Sequence, residues 1–128
     1  MTVQPRLKTD QDLYPEILYS GQNLHHVFKM LWPDGESVPL PLEPSLKLRD
    51  HSPTGFSWGY NGSGPAQLAL ALLLDATSDP DKACQFYQEF KWAMVAGFSK
   101  EWAMLRSEIL NWVLLAENQD LREKQAKN

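Results

Sequence analysis

A chain of 128 residues with 43% hydrophobic content and five tryptophans carries enough apolar surface for one packed domain without covalent staples. Its single cysteine, Cys84, excludes an internal disulfide and points to a reducing cytoplasm. A net charge of −4 argues against broad nucleic-acid binding, which needs a cationic footprint.

The first sixteen residues lack the basic start and apolar run of a signal peptide. The longest apolar run, residues 68–74, falls far short of the roughly 20 residues of a membrane span. Residues 1–12 read as a loosely held arm, 13–116 as a single domain and 117–128 as a polar tail that frays or ends as solvated helix.

Short strand-like runs come first. Residues 17–20 end at Gly21, and residues 26–32 end at the turn former Pro33-Asp34-Gly35-Glu36. Prolines alternate with apolar residues through 38–44, which excludes a central strand and suits an edge or an extended loop. Residues 45–51 alternate with period two. Leu46 and Leu48 are expected on one face, with Lys47, Arg49 and His51 on the other. Residues 56–60 alternate again, and Phe56, Trp58 and Tyr60 are expected to share a face.

From Pro65 the pattern turns helical, with proline suited to a first turn. Positions 68–74 are apolar all round, as in a helix buried by its neighbours. Asp79-Pro80 reads as an N-cap and first turn. Ala83, Phe86, Tyr87, Phe90 and Met94 then form one apolar stripe, and Gly97 is expected to end it. Residues 99–125 admit one long helix. The alternative, which is preferred, makes 102–105 an irregular link and lets Ser107 cap a last helix through Ile109, Trp112, Val113 and Leu114. Strands followed by helices predict an α+β fold, with a small antiparallel sheet from the N-terminal half packed against about three C-terminal helices.

The most distinctive stretch runs His51-Ser52-Pro53-Thr54-Gly55-Phe56-Ser57-Trp58-Gly59-Tyr60, then Gly62-Ser63-Gly64-Pro65-Ala66-Gln67-Leu68-Ala69-Leu70-Ala71. It resembles the signature of domain-of-unknown-function family 6166, small bacterial, plasmid and phage proteins. Phe90-Lys91, Trp102, Glu108-Ile109 and Trp112 resemble that family's helical half. The resemblance implies the company of mobile elements and supplies no catalytic residues.

Three glycines at a helix start expose backbone N–H groups that attract an anion. The dipole supplies about 0.3–1 kcal/mol at an exposed helix end, whereas millimolar binding needs about 4 kcal/mol. A phosphate or nucleotide site would therefore need cations. It would be built from Gly62, Ser63 and Gly64 with Lys47, Arg49 and His51, and Tyr60 would stack on the ligand. The commoner use of such glycines is to turn a chain sharply into a buried helix.

Other chemistries fare worse. No lysine follows the glycines as a P-loop requires, and the dinucleotide fingerprint fails in spacing. Asn61 and Pro65 stand where a nucleophile elbow around Ser63 needs glycines. Asn61-Gly62-Ser63 matches a glycosylation acceptor by letters alone. His51 is the sole acid–base candidate. Cys84 reads as a core or boundary residue, and His25-His26 would project to opposite sides rather than form a metal site.

Trp58, Trp92, Trp102 and Trp112 are expected in or near the core. Exposed tryptophans beside the proline-rich segment would mark a partner surface. The reading that follows is a small cytoplasmic interaction module without catalytic activity, cofactor or metal, binding a macromolecular partner. The alternative is a binder of a phosphorylated small ligand, and the last is an enzyme using His51. A homodimer is left open.

Overall fold

The computed structural model describes residues 16–126. The expected arm over residues 1–12 lies outside them. Strand β1 (Ile17–Gln22) pairs antiparallel with β2 (His26–Leu31), and β2 pairs with β3 (Ser37–Pro39). Helix α1 (Glu43–Leu48) leads through an irregular stretch to α2 (Ser63–Thr77) and α3 (Pro80–Ala93). A 3-10 turn (Val95–Gly97) precedes β4 (Trp102–Leu105), which continues into α4 (Arg106–Ala126). The sheet order is β3-β2-β1-β4, antiparallel throughout. The α+β architecture thus holds, with three strands from the N-terminal half and a fourth from the C-terminal half.

That fourth strand replaces the irregular link expected over 102–105. Trp102 and Met104 are buried and Ala103 is exposed, a period-two pattern too short to stand out beside the helix that follows. Pairing sets Trp102 opposite Gly21. A Cβ on Gly21 would overlap the Trp102 indole, so the glycine makes the space that the tryptophan fills. Ser107 is not the cap of α4. Glu108 reaches back to accept from Leu105 N at 3.0 Å, and Glu16 accepts from Ser107 N at 3.2 Å.

Helix α2 is the core. Leu68, Ala69, Leu70, Leu72, Leu73 and Ala76 are fully buried, as a helix apolar on every side requires. It starts at Ser63, so Pro65 stands within the first turn rather than at its first position. Ser78 ends it in the left-handed region at φ 55° and donates to Leu74 O. Asp79 caps α3 as expected, its carboxylate accepting from Asp81 N and Lys82 N. Ala83, Phe86, Tyr87 and Phe90 lie buried along α3, with Met94 packed at the margin.

Two strand-like readings fail. Residues 43–48 are helix α1, because Pro44 in its first turn is already set at a helical φ and Ser45 Oγ donates to Leu42 O at 2.9 Å. Lys47 therefore lies in the last turn of a helix instead of sharing a strand face with Arg49 and His51. Residues 56–60 form no ladder. Phe56 and Trp58 are buried, but Gly59 at φ 85° redirects the chain and leaves Tyr60 53% exposed.

The β1–β2 turn holds Asn23 at φ 53° and Leu24 at φ 69°. Leu24 is 64% exposed, so it adopts a disfavoured conformation without gaining burial. Leu24→Gly is expected to raise stability by about 0.5–1 kcal/mol, the relief of a left-handed non-glycine residue less the entropy of glycine. An unchanged or lower denaturation midpoint would contradict this.

Candidate functional site

The glycine-rich stretch is fastened from several sides. Gln67, fully buried on α2, accepts from His51 N at 2.8 Å and Ser52 N at 3.1 Å. Its Nε2 donates to Ser45 Oγ at 2.8 Å. The His51 ring is 2.7 Å from Tyr87 OH through Nε2. Gly59 N donates to Val95 O, and Trp58 Nε1 donates to Lys100 O. Tyr60 OH is 2.8 Å from Ser57 Oγ. A Cβ on Gly64 would overlap Ser57 Oγ, so the first turn of α2 sits directly on the preceding loop. His51 is thus a tether between α2 and α3.

Beside this turn lies an open depression of about 500 Å³. His25, Ser52, Thr54, Ser57, Tyr60 and Ser63 line it, with Gly64 and Phe56. His25 Nδ1–H donates to Phe56 O at 2.9 Å, which fixes one wall. Helix α2 has no side-chain cap, and Ser63 and Gly64 of its first turn line the depression among hydroxyl-bearing neighbours. Of the residues expected to gather here, Ser63, Gly64 and Tyr60 do. Gly62, Lys47, Arg49 and His51 are not in the wall, and Arg49 Nη1 donates instead to Leu48 O. Among the described residues, the wall carries no Lys or Arg.

A second cluster lies under the sheet. Tyr19 OH donates to Asp75 Oδ2 at 2.7 Å, and Lys29 Nζ donates to Asp75 Oδ1 at 2.7 Å. Burial of the phenol, with the Asp75 carboxylate beside it, pushes Tyr19 well above its ordinary value of 10.0. Unfolded Tyr19 ionises near 10 while the folded phenol does not. Stability from this group is complete below that pH and is lost as pH rises above it. Thermal melts between pH 9 and 11 are expected to fall less steeply for Tyr19→Phe than for the natural chain. Equal slopes would contradict the buried, un-ionised phenol. The cluster ties α2 to β1 and β2.

The third feature follows from strand register. Tyr19, Val27, Trp102 and Met104 share the sheet face turned to the helices and are buried. Alternation places Leu18, Phe28, Met30, Ala103 and Leu105 on the opposite face. Leu18, Phe28, Met30 and Leu105 are half-buried, yet none packs against the core cluster. Trp32 N donates to Glu16 O, which extends the β1–β2 ladder by one step and carries Trp32, 48% exposed, onto the same side. His26 stacks on Phe28 with centroids 6.4 Å apart. An antiparallel sheet with one face in water normally alternates apolar inside with polar outside. Here apolar residues occupy both faces.

The apolar run of β2 carries this pattern in the sequence itself. His26, Phe28, Met30 and Trp32 alternate with Val27, Lys29 and Leu31, and apolar side chains on both parities mark a strand that needs cover on two sides. Among the tryptophans, Trp58, Trp102 and Trp112 pack as expected. Trp92 does not: it is 63% exposed on α3, with Lys91 Nζ 5.2 Å from its ring. Its place on the helix lies outside the stripe that faces the core.

Among the described residues, no three His, Cys, Asp or Glu gather to hold a metal ion. No described helix is long and apolar enough to cross a membrane. Residues 19–115 match the family of unknown function DUF6166, and the chain belongs to that family. No curated protein and no solved structure matches it.

Proposed function

We propose that the protein is a non-catalytic binding module that engages a macromolecular partner through the outer face of its sheet. The observation that carries this reading is the row Leu18, Phe28, Met30 and Leu105, apolar and half-buried without touching the core. Contiguous apolar surface left half-exposed in this way is characteristic of interaction sites. Trp32 at its margin supplies the residue type that dominates interface energetics. The cytoplasm, and the company of mobile elements that the family resemblance implies, complete the proposal.

Affinity capture from a host extract tests it. Met30→Lys, on the outer face, is expected to abolish retention of any captured partner. Ser63→Ala, in the depression, is expected to leave retention unchanged. Loss with Ser63→Ala and retention with Met30→Lys would move the function to the glycine-rich turn.

A second reading is supported by the uncapped first turn of α2, which opens on a hydroxyl-lined depression. It makes that depression a site for a small phosphorylated ligand at Ser63, Gly64 and Tyr60, with Gly62 beside it. The energetics count against it, because the cations such a ligand needs, Lys47 and Arg49, are not in the wall.

A further inference from the structure

We infer that the partner of the outer sheet face is a cationic amphipathic helix of another protein, an inference that rests on the binding role proposed above. The floor is apolar at one end, with Leu18, Phe28, Met30 and Leu105 flanked by Trp32 and Ala103, while Ser20 lies between Phe28 and Ala103 and Gln22 opposite His26 at the other end.

The rim is acidic. Asp34 and Glu36 lie in the β2–β3 turn, Glu101 immediately precedes β4, and Glu108 binds the Leu105 N–H beside the β4 edge. All four are exposed, and none forms an ion pair with a described residue. The cations nearest in sequence do not balance them. Lys29 is turned inward to Asp75, Arg106 is buried with Nε on Ala76 O, and Lys100 alone is exposed next to Glu101. A partner with an apolar face and basic flanks matches this pattern, because complementary potentials steer encounter and fix register. The same rim repels nucleic acid and anionic membrane surfaces.

Size and edge chemistry narrow the partner further. Strands of six, six, four and three residues, at about 3.4 Å per residue and about 4.8 Å apart, give a face of at most about 20 by 19 Å. With the two shorter strands the flat area is roughly 300 Å², under half of the ~800 Å² each partner gives to a stable dimer. Two copies would also set like-charged rims together. A helix 10–12 Å across and three to four turns long covers the face. Strand addition is disfavoured at both edges: Pro39 cannot donate from β3, and Glu108 already holds Leu105 N of β4.

The test uses the full chain and two synthetic peptides of about 18 residues with the same leucine face, one flanked by lysines and the other by glutamates. Calorimetric titration at low salt is expected to give at least tenfold tighter binding to the lysine peptide. Met30→Lys should weaken that binding at least tenfold, while Met30→Leu, which keeps the apolar floor, should retain it. Asp34→Lys combined with Glu36→Lys should close the gap between the two peptides without touching the floor.

Equal or tighter binding of the glutamate peptide would overturn the cationic partner and leave the face itself as the binding surface. Lysine-peptide binding indifferent to Met30→Lys would remove the face as well. A concentration-dependent dimer in sedimentation, lost in Met30→Lys, would give the face to a second copy. Peptide binding gained only on deletion of residues 1–15 would give it to the chain's own N-terminal segment.

Discussion

Gly64→Ala is expected to lower stability by about 3 kcal/mol, the upper end of what an added methyl costs in a packed site. The new Cβ would overlap Ser57 Oγ and approach Ser57 Cβ at 3.0 Å and Ser57 N at 3.2 Å. Ser57 is itself buried, so rotating the hydroxyl away does not suffice; the loop must lift from the first turn of α2. At about 3–4 °C per kcal/mol for a domain of this size, the melting temperature should fall by roughly 10 °C. Ser57→Gly in the same chain removes two of the three conflicting atoms and should recover part of the loss. A variant as stable as the natural chain, or one that Ser57→Gly does not help, would mean that α2 does not rest on this loop.

Gln67→Leu should cost about 3 kcal/mol as well, for a different reason. The shape is nearly kept, but His51 N and Ser52 N lose their acceptor, and each stranded backbone donor costs about 1–3 kcal/mol. Ser45 Oγ keeps its own bond to Leu42 O and adds little. Gln67→Glu separates shape from charge. At neutral pH it sets a carboxylate in a fully buried position facing a hydroxyl that already donates elsewhere, which burial makes costly. Once protonated, it regains both a donor and an acceptor. Burial raises the folded carboxyl above its unfolded value, so the cost present at neutral pH should disappear as pH falls. Chemical denaturation at pH 7 and pH 4 checks this; a Gln67→Glu variant with no more relative stability at pH 4 would contradict the buried network.

Both effects concern folding, and they explain why the most conspicuous stretch of the sequence carries four glycines and the buried Gln67. Gly59 turns the chain at positive φ, Gly64 lets helix meet loop, and Gln67 replaces the backbone partners that the irregular residues 49–62 lack. These are requirements of an abrupt entrance into a buried helix.

The long elements were legible because their signals repeat. Seven successive apolar residues made α2 unmistakable, and Asp79-Pro80 announced α3 through chemistry that acts within one turn. Short elements were not. The alternation in residues 45–51 fits a strand or a six-residue helix equally, and Pro44 decides between them only once α2 and Gln67 are in place. The four residues of β4 show their strand character through Gly21, more than 80 positions away. The glycine-rich turn was found, but its supposed cations were assigned by a strand that does not form. The outer face escaped notice because its apolar row spans β1, β2 and β4. No local window contains it, and register alone assembles it.

The most direct measurement is a spectrum of the full chain, labelled at the methionine methyls, with and without a captured partner. Met30 reports the outer face, while Met104 is buried on the inner face and Met94 packs at the edge of the core. Binding through the outer face should shift or broaden the Met30 methyl and leave Met94 and Met104 where they were. A partner that binds while the Met30 methyl stays unchanged would contradict the sheet face as the working surface of this protein.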